Sequence, residues 1–457
     1  MYNKLGRSVN TVVIPEYSET IILESILKSE QEYKNNVKAE KLTALDFYYN
    51  QNMDEHLEKW FDGDSLQQVP TFPQRTVPRF ARARMMLYKK APIRIIGGEE
   101  NQDYKNLTYQ INSQTKIFSE ISWLLGECHF KTKFNERKQR LEYEILPFVK
   151  EYFINGESEP FGYSYEIEKL NEKNRQFIFW SETRDGVKGM HFRFDEYGVR
   201  YPIAGNEDMI NPYDINPISY VKYASNAMDV VRAAVQIGIA MTEIALSVRF
   251  RLGQPVFTGV DEGQSKIESG IDKAIILPEG GNFSYVSPGG SMLEMIEAVR
   301  VFANQAAENN HLRIRWGETS GNTPSGEALK ILEIENLESR ESDIPLFREW
   351  EHSRYEIDRI ILKKHNIANF NEDYSIDFGE VSFPMSPQEE RNWLDWKLEK
   401  GIMSKKELLL YFNPDMSEEE LELKIGLLQE EKKQDNEATQ PEQPTFGGLR
   451  NLGTSSQ

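Results

Sequence analysis

Cysteine is almost missing from this sequence of 457 residues, because Cys128 is the only one. A single thiol excludes a disulfide within the chain and any metal site built from several thiolates. Histidine is also scarce, and no two histidines have the spacing that would place them on one helical face or across one strand. The histidines are His56, His129, His191, His311, His352 and His365. The sequence therefore predicts no metal site and no cofactor.

Basic residues are in deficit. Lysine and arginine number 54 against 73 aspartates and glutamates, which gives a net charge of −19. Such a surface has no uniform attraction for phosphate, which disfavours a repressor or a nuclease. It still permits a protein that lets DNA slide past without sticking. Hydrophobic residues at 39% and aromatic residues at 11% nevertheless indicate a folded globular chain with a sizeable core.

Long uncharged apolar runs are missing as well. Met1–Tyr17 has no charged stretch followed by an apolar run of roughly 7–15 residues, so no secretory signal is predicted. The best candidate for a membrane span, Ala227–Leu252, holds too many polar groups for a span of ~20 apolar residues. These groups are Asp229, Arg232, Gln236, Glu243 and Arg249. We therefore predict a helix of a soluble protein and no membrane partner.

Catalytic motifs are lacking too. Gly321 and Gly326 have the spacing of a phosphate-binding loop, but Glu327 stands where such a loop needs lysine. Cys128 and His129 are adjacent on a predicted strand and would point to opposite faces, so we expect one to be buried and the other exposed. No serine lies in a nucleophile-elbow pattern. We predict no catalytic residues and no enzyme. A hydrolase using two of the many carboxylates is the alternative, and it would need a deep pocket with convergent polar groups.

Helices and strands alternate in blocks along the N-terminal half. Ser18–Asn50 has apolar residues at helical spacing and predicts one or two surface helices, and Ile117–Leu125 predicts a short apolar helix. Five strand-like runs follow, which predict a meandering sheet. They are His129–Phe134, Tyr143–Val149, Tyr163–Leu170, Gln176–Trp180 and Met190–Phe194.

The most basic stretch lies between these blocks. Thr76–Lys90 predicts a helix that begins near Pro78 and has an apolar face. Its arginines are Arg75, Arg79, Arg82 and Arg84. Pairing with acidic neighbours is favoured over direct contact with phosphate, given the excess of acids.

Two long predicted helices flank a glycine- and proline-rich insertion. Ala224–Arg251 is rich in alanine with one apolar face, and Ser291–Asn310 begins with a capping box formed by Ser291 and Glu294. The insertion contains three short strand-like pieces, Pro255–Val260, Ala274–Leu277 and Phe283–Val286. This order predicts a helical hairpin with a small β-rich module at its far end.

The C-terminal third is helical with one strand. A glycine-rich segment precedes a helix with Thr323 as N-cap and Pro324 at its first position, and Pro345 is predicted to interrupt that helix before a second piece reaches His365. Tyr374–Phe383 is strand-like. Three capping boxes then predict three short helices, before a polar tail that is expected to be disordered. The boxes are Ser386–Glu389, Ser404–Glu407 and Ser417–Glu420.

Together these elements predict an α+β fold, and their order resembles that of the portal proteins of tailed bacteriophages from about Ser18 to Glu431. Four passages carry the resemblance. Val77–Ile95 is similar to a family helix that ends in an aromatic residue, a basic pair and a Pro-Ile turn. The other passages are Gln254–Val256 with Ala274–Pro278 and Tyr285–Gly290, then Ser325–Leu329, and Lys400–Leu409.

The resemblance implies the portal architecture: an α/β wing, a helical stem, a small β-rich clip and a helical crown. Residues 1–223 would form the N-terminal part of the wing and 313–385 the tunnel loop, the tunnel helix and the rest of the wing. The stem helices would be 224–251 and 291–312, on either side of a clip at 252–290. The crown would be 386–431, and 432–457 the disordered tail.

The resemblance also implies the function. Portal proteins form a ring, usually a dodecamer, at one capsid vertex of the virion, where genomic DNA is packaged and ejected through the central channel without sequence specificity. Assembly in the host cytoplasm is implied, with terminase, a head–tail adaptor, the major capsid protein and scaffolding protein as partners. The implied channel loop contains Trp316, Gly317, Glu318, Thr319, Ser320, Gly321, Asn322, Thr323, Pro324, Ser325 and Gly326. Another ring-forming head–tail connector component is the alternative.

Overall fold

A computed structural model describes residues 11–15, 17–32, 36–61, 66, 69–167, 175–249, 254–258, 282–286, 292–313, 331, 333–381, 387–413 and 420–428. The chain divides into two compact units. The first comprises Met1–Ser320 with Ile331–Ser382, and the second comprises Gly321–Lys330 with Phe383–Gln457. Helices and sheets are mixed, so the predicted α+β class is confirmed.

The helices of the first unit are α1 (Glu19–Glu32), α2 (Asn36–Tyr49), α3 (Met53–Glu58), α4 (Val77–Arg84), α5 (Gln102–Leu107), α6 (Ile111–Leu125), α7 (Met228–Arg249), α8 (Met292–Glu308) and α9 (Ile334–Lys364). The second unit contains α10 (Pro387–Glu399), α11 (Lys405–Phe412) and α12 (420–428). The capping box predicted at Ser404 and Glu407 is present, with both hydrogen bonds made. The other predicted boxes include residues outside the described part of the chain.

The strands are β1 (Thr11–Ile14), β2 (Ile93–Ile96), β3 (Glu99–Glu100), β4 (Glu127–Asn135), β5 (Arg140–Leu146), β6 (Lys150–Ile154), β7 (Gly162–Ile167), β8 (Gln176–Ser181), β9 (His191–Asp195), β10 (Arg200–Tyr201), β11 (Ile218–Lys222), β12 (Gln254–Thr258), β13 (Asn282–Val286) and β14 (Tyr374–Asp377). They form sheets of order β1-β6-β7-β8-β9-β10, β11-β4-β5, β12-β13 and β14-β2-β3. The pairing of β1 with β6 is parallel, and the other pairings are antiparallel.

Strand β4 lies at the centre of the first unit because both of its faces are covered. On one face, Phe130 contacts Phe118 of α6 and Trp350 of α9, with ring centroids 5.0 Å and 5.2 Å away. On the other face, His129 reaches Glu151 of the six-stranded sheet. Alternate residues of a strand point to opposite sides, so β4 separates a helical layer from the larger sheet.

The predicted meander is present, but it is divided between two sheets. The predicted strand Tyr143–Val149 crosses the division: β5 ends at Leu146, and β6 begins at Lys150. Pro147 follows Leu146 directly and has no amide hydrogen to continue the ladder. The hydrophobic run therefore belongs to a strand end and the connection after it.

Three helix predictions were wrong in length. The helix predicted over Ile117–Leu125 is the last part of α6, which begins at Ile111. Thr76–Lys90 forms a helix only over Val77–Arg84, because the backbone leaves helical geometry at Met85. The break predicted at Pro345 does not occur, since α9 is one helix of 31 residues that contains Pro345. Proline costs one helical hydrogen bond. Burial of Phe347 and Trp350 in the turns that follow offsets that loss.

A fully buried ionic cluster, which the sequence did not reveal, joins α9 to the surrounding strands. Glu351 accepts from Arg94 of β2 at 2.7 Å and from Arg354 at 2.7 Å. Arg354 also pairs with Asp358. Four tyrosine hydroxyls and one threonine hydroxyl complete the set by donating to the two carboxylates: Tyr88, Tyr104, Tyr143, Tyr374 and Thr132. Every charged group in the cluster therefore has partners, as a buried charge requires.

Candidate functional site

The predicted channel loop falls outside the described residues. This applies to all of Trp316, Gly317, Glu318, Thr319, Ser320, Gly321, Asn322, Thr323, Pro324, Ser325 and Gly326. The described residues on either side of it approach each other. Arg313 Nη2 lies 3.9 Å from Glu335 Oε1 at the start of α9, and His311 Nδ1 lies 4.0 Å from Glu335 Oε2. The two described residues that flank the predicted loop, Arg313 and Glu335, therefore lie close together beside the end of α8.

Helices α7 and α8 form the predicted hairpin. Asn310 Nδ2, just after α8, donates to Asp229 Oδ2 at the start of α7 at 3.0 Å. Further along, Ile237 of α7 packs with Val299 and Ala303 of α8, so the helices are antiparallel. At the other end of the hairpin, β12 and β13 pair. The strand piece predicted at Ala274–Leu277 lies outside the described residues.

Small residues bring the base of the hairpin against the body of the first unit. Gly238 faces Leu57 of α3, where an added Cβ would lie 2.8 Å from the leucine Cδ1. One turn later, the Thr242 hydroxyl donates to the Gly238 carbonyl and accepts from the Phe72 amide at 3.0 Å. The first half of α7 is thus anchored to the core.

The contacts of α7 with the core are relevant to whether this helix could cross a membrane. Met228–Val248 is long and apolar enough to cross a membrane by length and composition alone. However, Val230, Val231 and Ala234 are buried in the main core of the first unit. Core helices of soluble proteins satisfy the same length and composition criteria, so a single helix of this kind is weak evidence for a membrane span.

Apolar side chains are exposed on α8 and, separately, beside α7. On α8, Leu293 is 77% exposed, and Ile296, which lies one turn later on the same side, is 38% exposed. Beside α7, a notch of about 200 Å³ is lined by the buried Val231, the half-buried Val235 and Trp60, which is 63% exposed. These valines lie on the side of α7 opposite to the residues that pack against α8, by helical spacing. The subunit therefore carries two distinct apolar surfaces.

Acids outnumber bases among the described side chains of the hairpin. The acids are Asp229, Glu243, Glu294, Glu297 and Glu308, and the bases are Arg232 and Arg300. Arg300 lies 3.7 Å from Glu297, and Arg232 lies 3.7 Å from Glu40 of α2. The net charge of this surface is negative. It repels a nucleic acid backbone over a range of about 8 Å at physiological salt.

The basic stretch around α4 pairs with acids at two positions, as the sequence predicted. Arg84 Nη1 forms a buried salt bridge of 2.7 Å with Asp343 Oδ2 of α9. Arg82 Nε lies 4.0 Å from Glu120 Oε2 of α6. Arg75 and Arg79 are exposed. Of the four arginines, Arg84 therefore holds α4 against α9 through a buried ion pair.

The prediction for Cys128 and His129 was wrong, since both side chains are buried. They do point to opposite faces of β4, but each face is covered by a different layer. Burial raises the pKa of the Cys128 thiol to about 12, so it is not a nucleophile near neutral pH. His129 Nε2 lies 2.9 Å from Glu151 Oε1 and does not approach the thiol as a base would. Among the described residues, no group of three or more His, Cys, Asp or Glu is placed to hold a metal ion.

No protein-family model matches the chain, and no curated protein matches it in sequence.

Proposed function

We propose that this chain is the subunit of a ring-shaped phage portal, through which genomic DNA is packaged and ejected. The observation that carries the proposal is the antiparallel hairpin of α7 and α8, which bears a β-ladder at one end and two separate apolar surfaces. The order of elements supports it, since the hairpin follows a mixed sheet and precedes the long helix α9 and three short helices. The four passages that resemble portal proteins lie in the same order.

A ring is the assembly that suits two different surfaces on one subunit. Contacts between unlike surfaces join subunits head to tail, and they close into a ring when the rotation per subunit allows it. In this proposal, the exposed side of α8 on one subunit covers the notch beside α7 on the next. The acidic hairpin surface then keeps the DNA backbone from adhering during passage.

The remaining parts have roles in the same proposal. The segment between Arg313 and Glu335 supplies the loop that meets DNA, and its ends are held together beside α8. The strand pair β12–β13 belongs to the clip, which docks terminase during packaging and the head–tail adaptor afterwards. The second unit contributes the crown.

Deleting Trp316–Gly326 tests the role of the loop. We expect assembly to be unchanged, because the hairpin contacts and the approach of Arg313 to Glu335 lie outside the deletion. Mass photometry should therefore show one assembly close to a dodecamer of 53.1 kDa subunits for both the intact and the deleted chain. The fraction of capsids that contain full-length DNA should fall sharply with the deleted chain.

Two outcomes would count against this account of the loop. Failure of the deleted chain to assemble would make the segment a structural element of the ring. Normal DNA filling and retention with the deleted chain would show that the segment has no part in DNA passage. A deletion of similar size in the polar tail, Gln440–Arg450, provides the control and should leave both readouts unchanged.

A further inference from the structure

A groove of about 530 Å³ lies along β11 in the first unit, and the portal proposal gives it no role. Strand β11 is the outer strand of the sheet β11-β4-β5, so one of its edges is not paired within that sheet. Helix α9 forms one wall of the groove, and residues from the six-stranded sheet and its connections form the other. The groove therefore follows the free edge of a strand.

The register shows which backbone groups of β11 remain free. The Thr132 amide donates to the Pro217 carbonyl, and the Tyr223 amide donates to the Gly126 carbonyl, so odd-numbered residues of this strand pair with β4. In an antiparallel pair the intervening residues direct their N–H and C=O groups away from the partner strand. These residues are Ile218, Tyr220 and Lys222. No other described strand pairs with them.

The side walls of the groove are apolar. Helix α9 contributes Leu346, Trp350, Ile357 and Ile360, and the opposite wall includes Tyr163 of β7. Side chains of an extended segment alternate between two sides. A strand laid along β11 would place successive side chains against these two walls in turn.

The polar groups of the groove are mainly acceptors. Its lining includes four glutamates, Glu159, Glu182, Glu349 and Glu356. Glu182 lies 3.6 Å from Arg184 and Glu356 pairs with Arg359, whereas Glu159 and Glu349 have no cationic partner among the described side chains. Its lysine, Lys222, already contacts Glu151 at 2.5 Å. Asn216 also lines the groove, and its Oδ1 is buried without a hydrogen-bond partner among the described residues, while its Nδ2 donates to the Phe161 carbonyl. An occupant rich in cationic donors would therefore complement the groove in charge.

We propose that this groove binds an extended, positively charged segment of another protein, which adds to the sheet as a strand beside β11. Backbone hydrogen bonds to Ile218, Tyr220 and Lys222 supply the pairing, as in other complexes formed by strand addition. Apolar side chains of the segment fill the walls, and its lysines or arginines meet the glutamates at the rim. The inference does not depend on the portal proposal.

Synthetic peptides test this directly. The probe is a panel of eight-residue peptides with blocked ends, in which lysine or arginine alternates with valine, isoleucine or tyrosine, and binding to the full chain is followed by fluorescence anisotropy. We expect members of the panel to bind, with an affinity that falls as salt is raised. A panel with glutamate in place of the basic residues should not bind. No binding by any basic peptide up to about 1 mM would overturn the proposal.

N-methylation separates strand addition from simple charge attraction. Methyl groups on every second amide block one edge of an extended peptide, and the two possible phases block opposite edges. We expect one phase to abolish binding and the other to preserve it. Equal binding of both phases would show that no strand forms.

Variants of the protein locate the binding site. Glu349→Lys should weaken binding of the basic peptides by tenfold or more, whereas Glu338→Lys, at an exposed position of the same helix outside the groove, should have no effect. Tyr220→Pro removes an outward N–H and should weaken binding more than Tyr220→Ala does. Unchanged binding in both groove variants would overturn the proposal. Binding that appears only after the assembly is dissociated would show that a second copy of the chain occupies the groove. That result would also overturn the proposal.

Discussion

Replacing Glu351 by alanine is expected to lower the free energy of unfolding by about 3–5 kcal/mol. Glu351 is the acceptor shared by Arg94 and Arg354, and its side chain is fully buried. Removing Glu351 takes away the carboxylate that both buried guanidinium groups share. The cost of burying these two charges is then no longer offset by that carboxylate. Urea unfolding followed by tryptophan fluorescence measures the change.

The control lies two residues away on the same helix. Glu349 is exposed, so Glu349→Ala should change the free energy of unfolding by no more than about 0.5 kcal/mol. Equal effects of the two substitutions would show that Glu351 contributes no more to the free energy of unfolding than an exposed glutamate does. A small effect of Glu351→Ala alone would show that the arginines find other partners or water.

The pKa of Glu351 leads to a prediction of how the free energy of unfolding depends on pH. Burial acts to raise the pKa of Glu351, but Arg94 and Arg354 outweigh it and hold the pKa at about 2, below the ordinary 4.5. A carboxylate with a lowered pKa in the folded state stabilises above its unfolded pKa, and this contribution is lost as the pH falls towards the folded value. The difference in stability between the intact chain and Glu351→Ala should therefore narrow from about pH 4.5 down to about pH 2. A constant difference across this range would contradict the assignment.

Introducing charge on the exposed side of α8 is expected to prevent assembly. Burying a leucine or isoleucine side chain contributes about 1.5–3 kcal/mol, so losing one such side chain should weaken each subunit contact by roughly 10- to 150-fold. The variant Leu293→Glu with Ile296→Glu replaces two such side chains by acids on a surface that is already negative. Mass photometry at micromolar concentration should show monomers in place of the assembly.

A matched control separates this effect from a general loss of solubility or folding. Tyr197, in the turn between β9 and β10, is 70% exposed and lies far from the hairpin in sequence. Tyr197→Glu should leave assembly unchanged, and the circular dichroism spectrum of the α8 variant should match that of the intact chain. Assembly that survives both α8 substitutions would remove α8 from the contact surface.

The hairpin could be predicted from the sequence because its information is local. The apolar spacing of α7 and α8 gives each helix, and the glycines and prolines between them give the insertion. The Ser404–Glu407 box was predictable for the same reason, since both residues lie within one turn. Local patterns of this kind do not depend on what packs against them.

The features that were predicted wrongly or missed depend on contacts between residues that are far apart in the sequence. Pro345 is tolerated because distant residues pack around α9, and Cys128 and His129 are both buried because two layers cover β4. The groove along β11 could not be predicted because it depends on which strand lies at the edge of a sheet. For the buried cluster, the spacing of Glu351, Arg354 and Asp358 was a usable signal, because residues three and four apart share a helical face. Arg94, from a remote strand, was not predictable.

Electron micrographs of the purified chain test the portal proposal most directly. Two-dimensional class averages should show closed rings with a central channel, and one rotational symmetry should account for nearly all particles. The rings should persist between low and physiological salt, because the proposed contacts are mainly apolar. Monomers or dimers alone, across salt and protein concentration, would contradict the proposal.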